Sequence, residues 1–191
     1  MSHATAGPAG PFPTLHTPRL HLREITPADA PALLALHGNA EAMRWFGSDP
    51  INDLAGAHRL IEMFAGYRTL PHPGTRWGLC LREDDRLIGT CGLFGWNAGW
   101  RQCTIGYELL PRHQGAGLMH EALQAAIGWG HEHRQLHRIE AIVHPDNQPS
   151  ITLLRRLGFE QEGRLRDGAR WGGRFHDMLL FAHIHTPAGA A

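Results

Sequence analysis

The segment Leu109-Leu110-Pro111-Arg112-His113-Gln114-Gly115-Ala116-Gly117-Leu118-Met119 constrains this chain more than any other. A strand-like run precedes it and a helical run follows it. Glycine at 115 and 117 removes two side chains from the link, so the backbone can turn sharply and another group can come close to its N–H groups. A helix starting at Leu118 adds unpaired donors and the positive end of its dipole. Such a link is either a tight strand-to-helix turn or an anion site suited to a pyrophosphate. Two other phosphate-binding patterns do not fit. A P-loop ends in Gly-Lys-Ser/Thr, where Leu118 and Met119 stand here, and a dinucleotide fold needs a third glycine and a parallel sheet.

The flanking elements fix the fold class. Arg19 to Ile25 alternates as a first strand. Thr26-Pro27-Ala28-Asp29 reads as a capped helix start with Leu33, Leu34 and Leu36 behind it. Ala40 to Phe46 reads as a short helical piece. Asn52 or Asp53 caps a helix carrying Leu54, Leu60, Ile61 and Phe64, and Pro71-His72-Pro73-Gly74 ends it. Trp77–Leu81, Arg86–Phe94 and Cys103–Leu110 follow as three strands of an antiparallel meander, with turns at Glu83-Asp84-Asp85 and Asn97-Ala98-Gly99. Met119, Ala122, Leu123, Ala126 and Ile127 make the buried stripe of a helix from Leu118 to about His131. Strand Arg138–Val143, helix Pro149–Leu157 and strands Phe159–Leu165 and Phe175–Ile184 close the order β-α-α-β-β-β-α-β-α-β-β, a mixed α/β domain.

Composition narrows the function. The chain has 191 residues, enough for one domain with a sizeable core. Lys+Arg and Asp+Glu both number 18, which argues against nucleic acid as a direct partner. No apolar run is long enough to span a membrane. Residues 1–14, rich in Pro, Gly and Ala, read as a disordered tail and not a signal peptide, and 187–191 as a second tail. Cys80, Cys91 and Cys103 show no paired spacing and read as reduced thiols in the strands of a cytoplasmic protein. There are fifteen histidines, yet HExxH spacing is absent and His131 and His133 fall on different sides of a helix, so no metal is expected.

Ile105-Gly106-Tyr107-Glu108-Leu109, followed by Arg112-His113-Gln114-Gly115-Ala116-Gly117, resembles motif A of the GNAT acetyltransferase superfamily (Gln/Arg-x-x-Gly-x-Gly/Ala). His137-Arg138-Ile139-Glu140-Ala141, then Asn147-Gln148-Pro149-Ser150 and Leu157-Gly158-Phe159, resemble its motif B. The opening Thr17-Pro18-Arg19-Leu20-His21-Leu22-Arg23 and the closing Gly172-Gly173-Arg174-Phe175-His176-Asp177 are similar to the Rim-type branch, the ribosomal-protein alanine N-acetyltransferases. The resemblance runs from about residue 17 to 184. It implies a single GNAT-like α/β (α+β) domain over 15–186, whose mostly antiparallel sheet is flanked by helices and splayed between strands 103–110 and 138–143. It implies acetyl-CoA as co-substrate, with the thioester arm paired to the backbone of Leu109 and Leu110. The pyrophosphate would lie on Gln114, Gly115, Ala116, Gly117, Leu118 and Met119. Asn147 would contact the pantetheine arm, cap a helix, or do both. A homodimer is implied by the same analogy.

Amine acetylation needs a neutral amine, a nearby thioester, an oxyanion donor and a proton for the leaving thiolate. Glu108 is the nearest acid to the glycine loop, as base or as structural carboxylate. Relatives often carry a carboxylate earlier in this strand, where Thr104 stands here. The Tyr that many members place on the helix after motif B corresponds to Leu154. Ser150 matches the serine of the Rim-type branch and is the candidate to hydrogen-bond or protonate the thioester sulfur. Tyr107 faces away from Glu108 by strand alternation and is expected in the core. Trp45, Phe46, Trp96 and Trp100 are candidates for an aromatic acceptor pocket. The acceptor expected is a primary amine, foremost a protein or peptide N terminus. A small amine (polyamine, amino acid or aminoglycoside-like) and a non-catalytic acyl-CoA-binding module are the alternatives.

Overall fold

The computed structural model describes residues 10–186. Its elements are β1 (Leu15–His16), β2 (Leu20–Arg23), α1 (Ala30–His37), α2 (Leu54–Gly66), β3 (Thr75–Leu81), β4 (Asp84–Asn97), β5 (Gln102–Leu109), α3 (Leu118–Arg134), β6 (Arg138–Val143), α4 (Gln148–Arg156), β7 (Glu160–Trp171) and β8 (Arg174–Ile184). The expected order is present, with a two-residue edge strand added at the start. The eight strands form one sheet in the order β1-β2-β3-β4-β5-β6-β8-β7.

Every pairing is antiparallel except β5 with β6. Those two strands run parallel and meet only at Gln102↔Arg138, Cys103↔Ile139 and Thr104↔Glu140. Beyond Thr104 they part, and β5 stays paired with β4 as far as Gly89↔Leu109. The sheet is therefore opened as a wedge at the C-terminal half of β5.

Alternation along β5 decides what each face of the wedge carries. Cys103, Ile105 and Leu109 point into the main core, with Leu118, Met119, Ala122 and Leu123 of α3 and Ile151 and Leu154 of α4. The opposite face is covered by α1 and α2 through Leu33, Ala57, Ile61 and Phe64. Cys80, Cys91 and Cys103 are free and buried in β3, β4 and β5, and burial pushes their thiols up to about 11, 12 and 12.

Local chemistry explains most boundaries. Asp53 caps α2 by accepting from Gly56 N at 2.7 Å. Asp29 accepts from Thr26 N at 2.8 Å and closes the entry to α1. Gln135, at φ 52°, ends α3 three residues beyond the expected His131. Gly172 and Gly173 (φ 57° and 76°) form a two-residue hairpin, so β7 and β8 extend past their expected ends.

Ala40–Phe46 is not the expected helix but a run of turns. Asn39 Oδ1 accepts from Glu41 N and Ala42 N, both at 3.0 Å, as at a helix start, and Met43 N reaches Asn39 O, but Arg44 N and Phe46 N then bond three residues back, to Glu41 O and Met43 O, and no i−4 ladder follows.

Of the two expected tails, residues 1–9 and 187–191 lie outside the described residues. Pro11–Pro13 lie against the sheet: Phe12 packs edge-on against Trp77, whose Nε1 donates to Pro13 O at 2.6 Å.

Candidate functional site

Where β5 and β6 part, a cleft of about 870 Å³ opens in the middle of the sheet. It is lined by the end of β5, the glycine loop, the start of α3, Ala141–Val143 of β6, the start of α4, and Glu41 to Phe46 of the α1–α2 connection. It thus collects residues that the chain separates by more than a hundred positions.

Its loop end is a backbone cradle. Gly115 and Gly117 sit at φ 78° and 76°, a region that side-chain-bearing residues rarely adopt. A Cβ built on Gly115 meets no heavy atom within 4 Å, so the loop presents bare backbone to open space. α3 starts at Leu118 with no side-chain cap, leaving its first N–H groups free to meet an anion.

The outer side of this loop is braced by residues that the sequence reading did not single out. Arg19 Nη1 donates to Ala116 O at 2.8 Å and its Nε pairs with Glu121 Oε2 at 2.6 Å. Glu121 also accepts from Thr17 Oγ1 and Arg19 N, at 2.5 and 2.8 Å. The available signal was an acid in the first turn of α3 and a basic residue beside the first strand.

Between cradle and sheet, Gln114 Nε2 donates to Leu109 O at 2.9 Å. Leu110 N donates to Ile88 O and Leu110 O accepts from His113 N, both at 2.9 Å. The Leu110 N–H is therefore engaged within the protein, while its carbonyl keeps a second lone pair. Two-residue alternation turns the N–H groups of Leu109 and Tyr107 the other way, toward β6.

The middle of the cleft holds a hydroxyl pair. Tyr107 OH and Ser150 Oγ are 2.7 Å apart, across 43 residues of sequence. Tyr107 is half-buried. Burial pushes its hydroxyl up to about 12, and the Ser150 contact offsets only part of that. Tyr107 packs against the main core as expected and also lines the cleft wall, on the α4-facing side of β5 with Ile105 and Leu109. Ser150 sits in the first turn of α4, and its N–H donates to Asn147 Oδ1 at 3.2 Å. Asn147 thus caps α4 while lining the cleft.

Glu108 points to the other face. It is 9% exposed, ion-paired with Arg76 and accepts from Thr90 Oγ1. Arg76 Nε also donates to Thr90 Oγ1 at 2.7 Å, and its guanidinium lies 4.9 Å from the Phe64 ring and 5.2 Å from that of Phe94. His37 Nε2 stands 3.2 Å from Glu108 Oε1 without an aligned hydrogen bond. Burial alone would raise the Glu108 carboxyl, but Arg76 and His37 hold it down at about 2. A carboxylate this weakly basic takes up protons poorly near neutral pH.

The four aromatic candidates divide. Trp45 and Phe46 line the cleft, and Trp45 stacks on His144 with ring centroids 4.2 Å apart. Trp96 lies near the far end of β4 and Trp100, 74% exposed, beyond it in the β4–β5 connection. They sit at the closed end of the β5–β6 pair, away from the wedge. Among the described residues no group of three or more His, Cys, Asp or Glu is placed to hold a metal ion, and no helix is long and apolar enough to cross a membrane.

The chain has clear relatives among known proteins. Residues 19–160 match the family model described as acetyltransferase (GNAT) domain. An uncharacterized N-acetyltransferase of Bacillus subtilis, YoaA, is 35% identical over 173 residues, covering 91% of this chain and 97% of that protein. The [ribosomal protein uS5]-alanine N-acetyltransferase of Escherichia coli is 38% identical over 112 residues, 58% of this chain and 57% of that protein. The structure of Mycobacterium smegmatis RimJ in complex with CoA-disulfide superposes with a TM-score of 0.77 over 86% of this chain and 81% of that one. At 22% identity this likeness speaks for the fold.

Proposed function

The chain belongs to the GNAT acetyltransferase family, and from that premise we propose that it moves the acetyl group of acetyl-CoA onto the α-amine of a protein or peptide N terminus. One observation carries the reading of the site: the wedge between β5 and β6 leads from the Gly115–Met119 cradle directly to the Tyr107–Ser150 hydroxyl pair.

The residues fit the co-substrate. Gly115, Ala116, Gly117, Leu118 and Met119 offer backbone donors to a pyrophosphate, and at Gly115 no Cβ stands beside them. Gln114 fixes the loop to Leu109, whose N–H, with that of Tyr107, faces the arm's path. Asn147 spends its Oδ1 on the α4 cap, which leaves its amide N–H groups for the arm. Acetyl-CoA brings an already activated acyl group, so direct attack in a ternary complex needs no acyl-enzyme.

Tyr107 and Ser150 keep their protons at neutral pH and together direct a hydrogen bond at the departing sulfur. Glu108, held ionised and neutralised by Arg76, is a poor proton acceptor on the acceptor side of β5. This favours an acceptor that arrives partly neutral. An α-amine titrates near 7.7–8.0 and a lysine near 10.4, a difference of roughly 3 kcal/mol at about 1.36 kcal/mol per pKa unit.

The test is thiol release from acetyl-CoA with a panel of acceptors: a peptide with a free small N-terminal residue, the same peptide N-blocked, and spermidine. Release with the free peptide alone is the expected result. Release with spermidine alone would transfer the assignment to small amines. Binding of acetyl-CoA without release for any amine would make the protein an acyl-CoA-binding module.

A further inference from the structure

At the far end of α3 from the cradle lies a second cationic feature with no part in acetyl transfer. The 17 residues of α3 place its last residue, Arg134, about 25 Å from Gly117. The Arg134 guanidinium lies over two indoles, with its Cζ 5.4 Å from the Trp96 ring and 5.1 Å from that of Trp129. Aromatic contact of this kind steadies the cation and leaves its N–H groups to meet a polar partner. Arg68 borders the same cavity. It donates to the carbonyls of Gly10 and Pro11 but meets no carboxylate.

The arginines paired with carboxylates among the described residues are Arg19, Arg23, Arg76, Arg86, Arg138 and Arg164. Arg68 and Arg134 share a cavity without such a partner, as Arg44 and Arg174 do beside His144; only the first pair has an unspent buried N–H, that of Trp96, in the same wall. Burial, and then the neighbouring Arg68 charge, make the Arg134 cation less favourable than it is in water. One further donor is unspent: Trp96 Nε1 is buried with no acceptor. A protein tolerates two close cations and an orphan N–H in one recess when an anion completes them.

The recess also selects among anions. Its volume is about 40 Å³, room for about three water-sized groups. Its remaining walls include Leu93 and Leu136. A tetrahedral phosphate spreads its oxygens in all directions, whereas the three heavy atoms of a planar carboxylate match this volume and take donors along one edge, with any tail left outside the recess. We propose that this recess is a carboxylate-binding site, in which Arg134 and Arg68 hold the carboxylate and Trp96 Nε1–H donates to one of its oxygens.

The source is either a small free carboxylate or the C-terminal carboxylate of a peptide. The test titrates the full chain at constant ionic strength with butyrate labelled at its carboxyl carbon and follows the NMR line width. Wild type is expected to bind saturably at one site. Arg134→Gln should weaken binding tenfold or more. Trp96→Phe, which keeps the ring and deletes the donor, should weaken it several-fold. Inorganic phosphate should displace butyrate only at several-fold higher concentration. Displacement by a heptapeptide ending in a free leucine carboxylate, but not by its amide, would identify a protein C terminus as the source; failure of both peptides would leave the small carboxylate. If Arg134→Gln does not fold, Arg68→Gln and Trp96→Phe decide. Absence of saturable binding, wild-type binding in the variants, or displacement at lower phosphate than butyrate would each overturn the assignment.

Discussion

The cradle and the reacting end of the cleft adjoin on one strand–loop–helix segment, yet they are made of different things. In the proposed function the groups that would meet the ligand at the cradle are the backbone N–H groups of Gly115 to Met119. At the reacting end they are side chains, Tyr107 and Ser150 on one face of β5 and Glu108 with Arg76 and His37 on the other. A backbone site is intolerant of added atoms and indifferent to chemistry. A side-chain site is the reverse, because its shape survives an isosteric change that removes one proton or one charge. Substitutions can therefore separate the two ends.

The largest effect is expected at the cradle. Gly117→Val puts a branched side chain at φ 76°, where it is strained, and turns it toward Arg19 Nη2, 3.5 Å from the new Cβ, so the loop and its brace must shift. Acetyl-CoA raises the melting temperature of the wild type by mass action. The variant should lose that shift, and transfer at fixed acetyl-CoA should drop by a factor on the order of 100. A folded variant that keeps the full shift would remove the cradle from the account.

Glu108→Gln comes next and should appear first in stability. It leaves the buried Arg76 without its counter-charge, at a cost of about 3 kcal/mol or more in denaturant unfolding. The pH dependence has a definite sign. The Glu108 carboxyl is depressed from 4.5 to about 2, so its contribution is present above pH 4.5 and is lost as pH falls toward 2, roughly 3 kcal/mol in all. The variant should show a flatter loss of stability across that window. An unchanged acid-unfolding curve would mean that the Arg76–Glu108 pair does not anchor this face of the sheet.

Ser150→Ala addresses chemistry alone. The site keeps its shape, so kcat should drop about tenfold to a hundredfold while the acetyl-CoA Kd changes less than about twofold. Tyr107→Phe should behave alike, and the double variant should lose little more than either single one, because the two hydroxyls act as one hydrogen-bonded unit. Equal losses in kcat and in acetyl-CoA affinity would make the pair part of the binding surface instead.

Asn147→Ala carries the smallest expected effect. Removing the α4 cap should cost about 1 kcal/mol of stability, with a small rise in the KM for acetyl-CoA. A neutral outcome in both would leave Asn147 with no role beyond lining the cleft.

The same contrast explains what was legible before the fold was known. Gly115 and Gly117 announce themselves because a backbone site is local: strand, glycines and helix start lie within a few residues. The helical stripe of Met119, Ala122, Leu123, Ala126 and Ile127 is local too, and all of it lies in or beside the main core. Tyr107 and Ser150 are 43 residues apart and Arg76 and Glu108 32 apart, so no spacing rule joins them. Strand parity placed Tyr107 and Glu108 on opposite faces, but only the splay of β6 shows which face opens into a cleft and which is sealed by α1 and α2. The Ala40–Phe46 difference has another origin: the segment begins with a capped turn at Asn39 but its later bonds, Arg44 N to Glu41 O and Phe46 N to Met43 O, run three residues back and leave it a run of turns.

The most direct test concerns which nitrogen is acetylated. The protein is incubated at pH 7 with acetyl-CoA and a peptide carrying a free small N-terminal residue and one internal lysine, and mass spectrometry after fragmentation locates the acetyl group. With Glu108 held ionised at about 2 and only the Tyr107–Ser150 hydroxyl pair beside the sulfur's path, the expected product carries acetyl on the α-amine, with the lysine untouched. Preferential acetylation of the lysine at pH 7 would contradict the account, because it would require a proton acceptor stronger than Glu108 or either hydroxyl of that pair.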